Sequence, residues 1–136
     1  MFEYIRLFSI FSVCNLVFIF LNYWQIKNAK KFYLPLFSFL GVQPHSLWQF
    51  WFWYSIIVSF ILVPVNYIFL YNFWYGYNQV FNEKVWRVQE IAWLANGVVM
   101  FFMAWFYMKE LPTLNTLIVV FFLAGAIIAI LWGKQP

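Results

Sequence analysis

Aspartate is absent from this chain, and charge of any kind is scarce: 9% of its 136 residues are charged, against about a quarter in a soluble globular domain. A soluble surface cannot be built from that supply. Cysteine and histidine occur once each, at Cys14 and His45. An intramolecular disulfide is therefore excluded, and a tetrahedral zinc site made by the chain is not expected. With no aspartate, one histidine and four glutamates, no nucleophile–base–acid set can be assembled. The five glycines are dispersed and form no phosphate-cradling loop. We therefore expect no enzyme activity, no metal and no cofactor. The net charge is +4, but the basic residues stand at the ends of apolar runs. Membrane anchoring accounts for them, and nucleic acid is not an expected partner.

What the chain has instead is length without charge. Ile91 to Met108 and Leu114 to Trp132 carry no charged residue and are separated only by the connection beginning Lys109-Glu110-Leu111-Pro112. Each run is long enough to cross a bilayer core of about 30 Å as a helix. So short a connection makes them antiparallel neighbours, with Lys109 and Glu110 at the turn and Pro112 near the next helix start, where a missing N–H matters least.

The N-terminal run Leu7–Trp24 reads as a retained helix rather than a signal peptide, because it lacks a small-residue cleavage site. A hydrophilic loop with Lys27, Lys30 and Lys31 follows. The uncharged stretch Phe32 to Asn82 is too long for one helix. It divides at Gly41 to Pro44 into a segment at the membrane interface and a helix over Leu47–Trp74. His45, at that break, is read as interfacial. Aromatics crowd both ends of the second helix (Trp48, Trp51, Trp53 and Tyr54; Tyr71, Trp74, Tyr75 and Tyr77), the pattern of a double interfacial belt. Pro64 is the expected kink. Four helices result, at about 7–24, 47–74, 88–108 and 113–132, in a single transmembrane domain spanning 1–136. No internal repeat or soluble domain is visible.

Polar residues inside these runs are the candidate site. Ser9, Ser12, Asn15 and Asn22 share a broad face of the first helix. Ser55, Ser59 and Asn66 share one on the second. On the third, Gln89, Trp93, Asn96, Met100, Met103 and Tyr107 form a stripe at spacings of four and three. Two readings stand for each: helix–helix packing, or the lining of a cavity for an amphipathic ligand. On the second reading Asn15, Asn66 and Asn96 turn inward to meet one another, water or substrate, and Trp93 and Met100 supply an apolar wall. Glu90 is the charge placed deepest in a helix. It either pairs with Arg87 three residues earlier or serves as a proton-coupling carboxylate. Gly125, Ala129 and Gly133 recur every four residues and are read as a close-packing or dimer face.

The hairpin end, Y-M-K-E-L-P-T-L-N-T-L-I-V-V-F-F-L-A-G-A-I-I-A-I-L-W, resembles the last hairpin of the drug/metabolite transporter superfamily, with Glu110, Leu111 and Gly125 in the characteristic places. V-P-V-N-Y at Val63 to Tyr67, followed later by Gln89-Glu90, is similar to V-P-A-N-R and Q-E of a four-helix group in that superfamily; Tyr67 replaces the arginine. The resemblance implies an all-α integral membrane protein with a bundle like that of the small multidrug resistance proteins. Those proteins couple protons through a glutamate in their first helix. Leu7 to Trp24 contains no acid, which turns the expectation from cationic drugs toward neutral or lipid-like solutes. The implied function is a small transporter or flippase working as a homodimer, with membrane lipid as partner, in a bacterial inner membrane. The alternative is a non-transporting subunit that binds lipid or a partner membrane protein. Basic residues divide four against four between the two membrane faces, so they set little orientation bias; the Lys27–Lys31 cluster favours that loop in the cytoplasm.

Overall fold

The computed structural model of the protein describes residues 1–31 and 35–132. Among these every regular element is helical and no strand forms. Helix α1 spans Phe2–Asn28, α2 Pro35–Phe39, α3 Leu47–Tyr75, α4 Val85–Phe102 and α5 Leu114–Trp132. Three continuous helical stretches, Phe2–Lys31, Leu47–Val80 and Val85–Tyr107, are long and apolar enough to cross a membrane. Such a set is the mark of an integral membrane protein, since a helix satisfies its own backbone in lipid. The last helix is equally apolar but shorter, Leu114–Ile130 by the same measure.

The first helix is longer than expected at both ends. Its extra turns are held by local charge: Arg6 pairs with Glu3 at 3.3 Å and lies 4.7 Å from the centre of the Tyr75 ring. At the other end the Lys27 ammonium donates to the Tyr107 carbonyl and sits over that ring. The third expected helix is regular only to Phe102; Met103–Tyr107 winds more loosely as a π-helical turn. Lys109, in the left-handed region at φ 58°, turns the chain toward α5. Helix α3 runs continuously through Pro64.

Helix α1 is the centre of the bundle, and α3 and α4 pack on its two sides. Leu7 and Phe11 are fully buried among Phe81 and Val88, Ile91, Ala92 and Ala95 of α4. Phe11 also meets Phe69 and Phe73 of α3, at 5.0 and 6.5 Å between ring centres. Gly76 marks the closest approach here: a Cβ added to it would lie 3.2 Å from Leu7 and 3.3 Å from Val88. The opposite end has its own cluster. Phe37 of α2 folds against Phe50, Tyr54 and Ile57 of α3 and Ala29. The Tyr54 hydroxyl donates to the Leu21 carbonyl at 2.6 Å and so pins α3 to α1. Helix α3 starts with a reciprocal cap: Ser46 Oγ accepts from the Gln49 amide, and the Gln49 side chain accepts from the His45 amide.

Helix α5 is held differently. It rests on α4, where Leu123 fits against Gly97; a Cβ on that glycine would meet Leu123 at 3.2 Å. Beyond this point Ile130 still packs against the α1–α4 core, and beside it an open space separates the facing walls of the two helices.

Candidate functional site

The parting of α4 and α5 makes an open cleft of about 450 Å³, lined by Arg87, Glu90, Trp93 and Leu94 on α4 and by Leu123, Ala126, Ala129 and Ile130 on α5. Its shape follows from the sequence. Small side chains at Ala126 and Ala129 leave room on the α5 wall, whereas Leu123 closes the inner end on Gly97. From Arg87 to Gly97 is ten residues, roughly 15 Å along the helix axis. The cleft therefore has a charged mouth near the start of α4 and an apolar floor. At the mouth, Arg87 Nη1 lies 3.8 Å from Glu90 Oε2, with both side chains partly in the open. That separation is at the long limit for an ion pair, so both groups keep unused hydrogen-bonding capacity. Trp93, one turn further in, is 59% exposed and forms a flat aromatic wall.

Behind this cleft lies a second cavity of about 220 Å³, wholly apolar, between Tyr4, Ile5 and Phe8 of α1 and Ile127 of α5. Leu94 and Ile130 line both spaces and form the partition between them. A third pocket, about 290 Å³, lies between α1 and α3 beside buried Cys14.

The residues singled out in the sequence divide into three groups. Glu90, Trp93 and Ala129 are brought to the same cleft. Asn96 and Met100 meet each other, the Asn96 amide lying 3.6 Å from Met100 Sδ. Asn15 and Asn66 join neither group: Asn15 donates to the Phe11 carbonyl of its own helix at 2.8 Å, and Asn66 is exposed on α3. No hydrogen bond links the three amides to one another. The inward convergence expected of them is absent from the protomer because the helix faces are rotated relative to that expectation. Val88, Ala92, Ala95 and Val99 form a stripe of the same period as Gln89–Tyr107, and this is the face of α4 that is buried. Its alanines let α1 approach closely; Trp93 and Met100 on the other stripe are left open. Glu90 is likewise exposed rather than buried. Gly125 has nothing within 4 Å of an added Cβ and Ala129 is exposed, so the small-residue face is unoccupied in one protomer. Gly133 lies outside the described residues.

Two features escaped the sequence reading. Asn72, not Asn66, is the buried amide of α3: it donates to the Ile68 carbonyl, and its Oδ1 has no partner among the described residues. Asn72 stands eighteen residues after buried Tyr54, five turns at 3.6 residues each, so counting from Tyr54 would have found it. Gly97 is the other. Its role shows only when Leu123 is placed opposite.

Comparison with protein-family models, with curated proteins and with solved structures finds no match.

Proposed function

We propose that this chain is a small membrane transporter or flippase for an amphipathic, lipid-like solute, and that it works as a homodimer of four-helix protomers in the manner of the drug/metabolite transporter superfamily. The observation that carries the proposal is the α4–α5 cleft. It joins a charged mouth, Arg87 and Glu90, to an aromatic and aliphatic wall, and it is open to the outside of the protomer. A solute with a polar head and an apolar body would be matched along its length. Dimerisation is part of the proposal because the protomer leaves the cleft open on one side and the Gly125 face unoccupied.

The non-transporting reading is favoured by one specific observation. Asn15 and Asn72 donate within their own helices, so neither amide contributes a hydrogen bond between helices. A lipid-binding subunit needs only the cleft. Reconstitution separates the two readings. Liposomes carrying the protein and a fluorescent phospholipid should lose inner-leaflet fluorescence to an external quencher faster than empty liposomes. Ala126→Trp, which fills the cleft, should return the rate to that of empty liposomes. A wild-type rate equal to the empty control would refute transport of lipid-like solutes.

A further inference from the structure

We infer that the ligand of the α4–α5 cleft is a phospholipid with a zwitterionic headgroup, its phosphate on Arg87, its ammonium on Glu90 and an acyl chain against Trp93, Leu94 and Ala126. This deepens, and rests on, the assignment of the cleft as the solute site. It does not require that the solute be moved.

The argument is one of charge complementarity. The cleft mouth carries one fixed positive and one fixed negative group, 3.8 Å apart. They are one helical turn apart on the same face and border the same open space. An anionic amphiphile could pair with Arg87 but would be repelled by Glu90. A cationic one would meet the reverse. Only a headgroup with both charges satisfies both; because the two side-chain charges are 3.8 Å apart, the phosphate and the ammonium would lie side by side across the mouth, with the acyl chain leaving from the phosphate into the apolar part of the cleft. It would replace one long ion pair by two charge-assisted contacts, which are stronger than neutral hydrogen bonds. Trp93 follows Glu90 by three residues on the same side of the helix and lines the same cleft, which puts an aromatic ring beside the ammonium position, where a cation is attracted by the ring quadrupole. Below the headgroup every lining residue is apolar down to the Gly97–Leu123 contact.

The test is lipid retention by native mass spectrometry of the purified protein. It is offered equal amounts of phosphatidylethanolamine, phosphatidylcholine and anionic phosphatidylglycerol. Wild type should retain the two zwitterionic lipids over the anionic one. Preference for phosphatidylethanolamine would identify hydrogen bonding to Glu90 as dominant, and preference for phosphatidylcholine the Trp93 face; either result supports the inference. Glu90→Gln removes the repulsion and should shift retention toward phosphatidylglycerol by about tenfold, the scale of one charge-assisted contact. Arg87→Gln should lose retention of all three. Ala126→Trp, which touches neither charge, should also lose all three while leaving the far-ultraviolet helical signal unchanged. Equal retention of anionic and zwitterionic lipids by wild type would overturn the inference, as would unaltered selectivity in Glu90→Gln. Selective retention without movement in liposomes would leave the inference standing and sink transport. Movement of fluorescent lipid without headgroup selectivity would do the opposite.

Discussion

Two glycines make equally close approaches, yet alanine should affect them differently. At Gly76 the added methyl would lie 3.2 Å from Leu7 and 3.3 Å from Val88; at Gly97 it would lie 3.2 and 3.3 Å from the two terminal carbons of Leu123. Leu7 and Val88 are both fully buried, so neither can move without displacing the core around Phe11. Leu123 is half-buried and borders the open cleft, so it can rotate into free space. Overpacking a closed core costs about 1–3 kcal/mol. Against this, both glycines are helical with right-handed dihedrals, and alanine gains about 1 kcal/mol of helix propensity over glycine. The net expectation for Gly76→Ala is a loss of up to about 2 kcal/mol. Gly97→Ala should be neutral or stabilising by up to about 1 kcal/mol. The measurement is unfolding by sodium dodecyl sulfate in mixed micelles, followed by tryptophan fluorescence, with both variants in one series. Equal destabilisation by the two substitutions would refute the claim that the Gly97–Leu123 contact is yielding and the packing of Gly76 on α1 and α4 is not.

Three further outcomes are expected. Tyr54→Phe removes the hydroxyl that bonds the Leu21 carbonyl at 2.6 Å and should cost about 1 kcal/mol in the same titration; no loss would mean that the bond does not hold α3 to α1. Ser46→Ala should cost about 1 kcal/mol and raise hydrogen exchange in the first turn of α3 alone; unchanged exchange at Gln49 would argue against the cap. Replacing Lys30 and Lys31 with glutamine leaves two basic residues against four across the membrane, and terminal reporter fusions should then move toward the opposite orientation. Reporters that remain wholly on one side would show that another signal sets orientation.

Helical character and the starts of α3 and α5 were legible because they rest on local properties: uninterrupted apolar runs, the break at Gly41 to Pro44, and the turn at Lys109; α4 begins at Val85, three residues before the expected start. The N-terminal extension of α1 was missed because the expected helix begins at Leu7, after the last N-terminal charge, whereas the i, i+3 pairing of Glu3 and Arg6 supports a further helical turn. The rotation of α4 was missed for a different reason. Two stripes of equal period run along it, and the eye follows Trp93, Asn96 and Met100 because they are chemically distinctive. Packing selects the other, since Ala92 and Ala95 allow α1 to come close and Trp93 would hold it away. The cleft itself could not be read, because it depends on which α5 residues stand opposite Glu90 and Trp93. Ala129 appeared in the sequence as part of a packing stripe, and only the fold shows that it also lines the cleft.

That double placement of Ala129 joins the proposed assembly to the proposed site. Helix α5 carries no hydrogen-bonding side chain from Leu117 through Leu131, so no side-chain hydrogen bond along that length fixes it to the bundle. In lipid, apolar contact alone gives little preference for protein over acyl chains, and close packing of small residues is what holds helices together. One such contact, Leu123 on Gly97, ties α5 to its own protomer. The Gly125 and Ala129 face offers a second, to a partner. In a dimer formed through that face, α5 is held from both sides; in a monomer it is held only by Leu123 on Gly97 and by Ile130 against the α1–α4 core. Gly125→Leu places a branched side chain where the partner helix would approach, and should convert dimer to monomer in detergent. It lies outside the cleft lining, yet it should also weaken lipid retention through the loosened α5. Ala126→Trp should lose the lipid and keep the dimer. A Gly125→Leu protein that becomes monomeric and still retains lipid as wild type does would separate the two, and α5 would then be held by its own protomer alone.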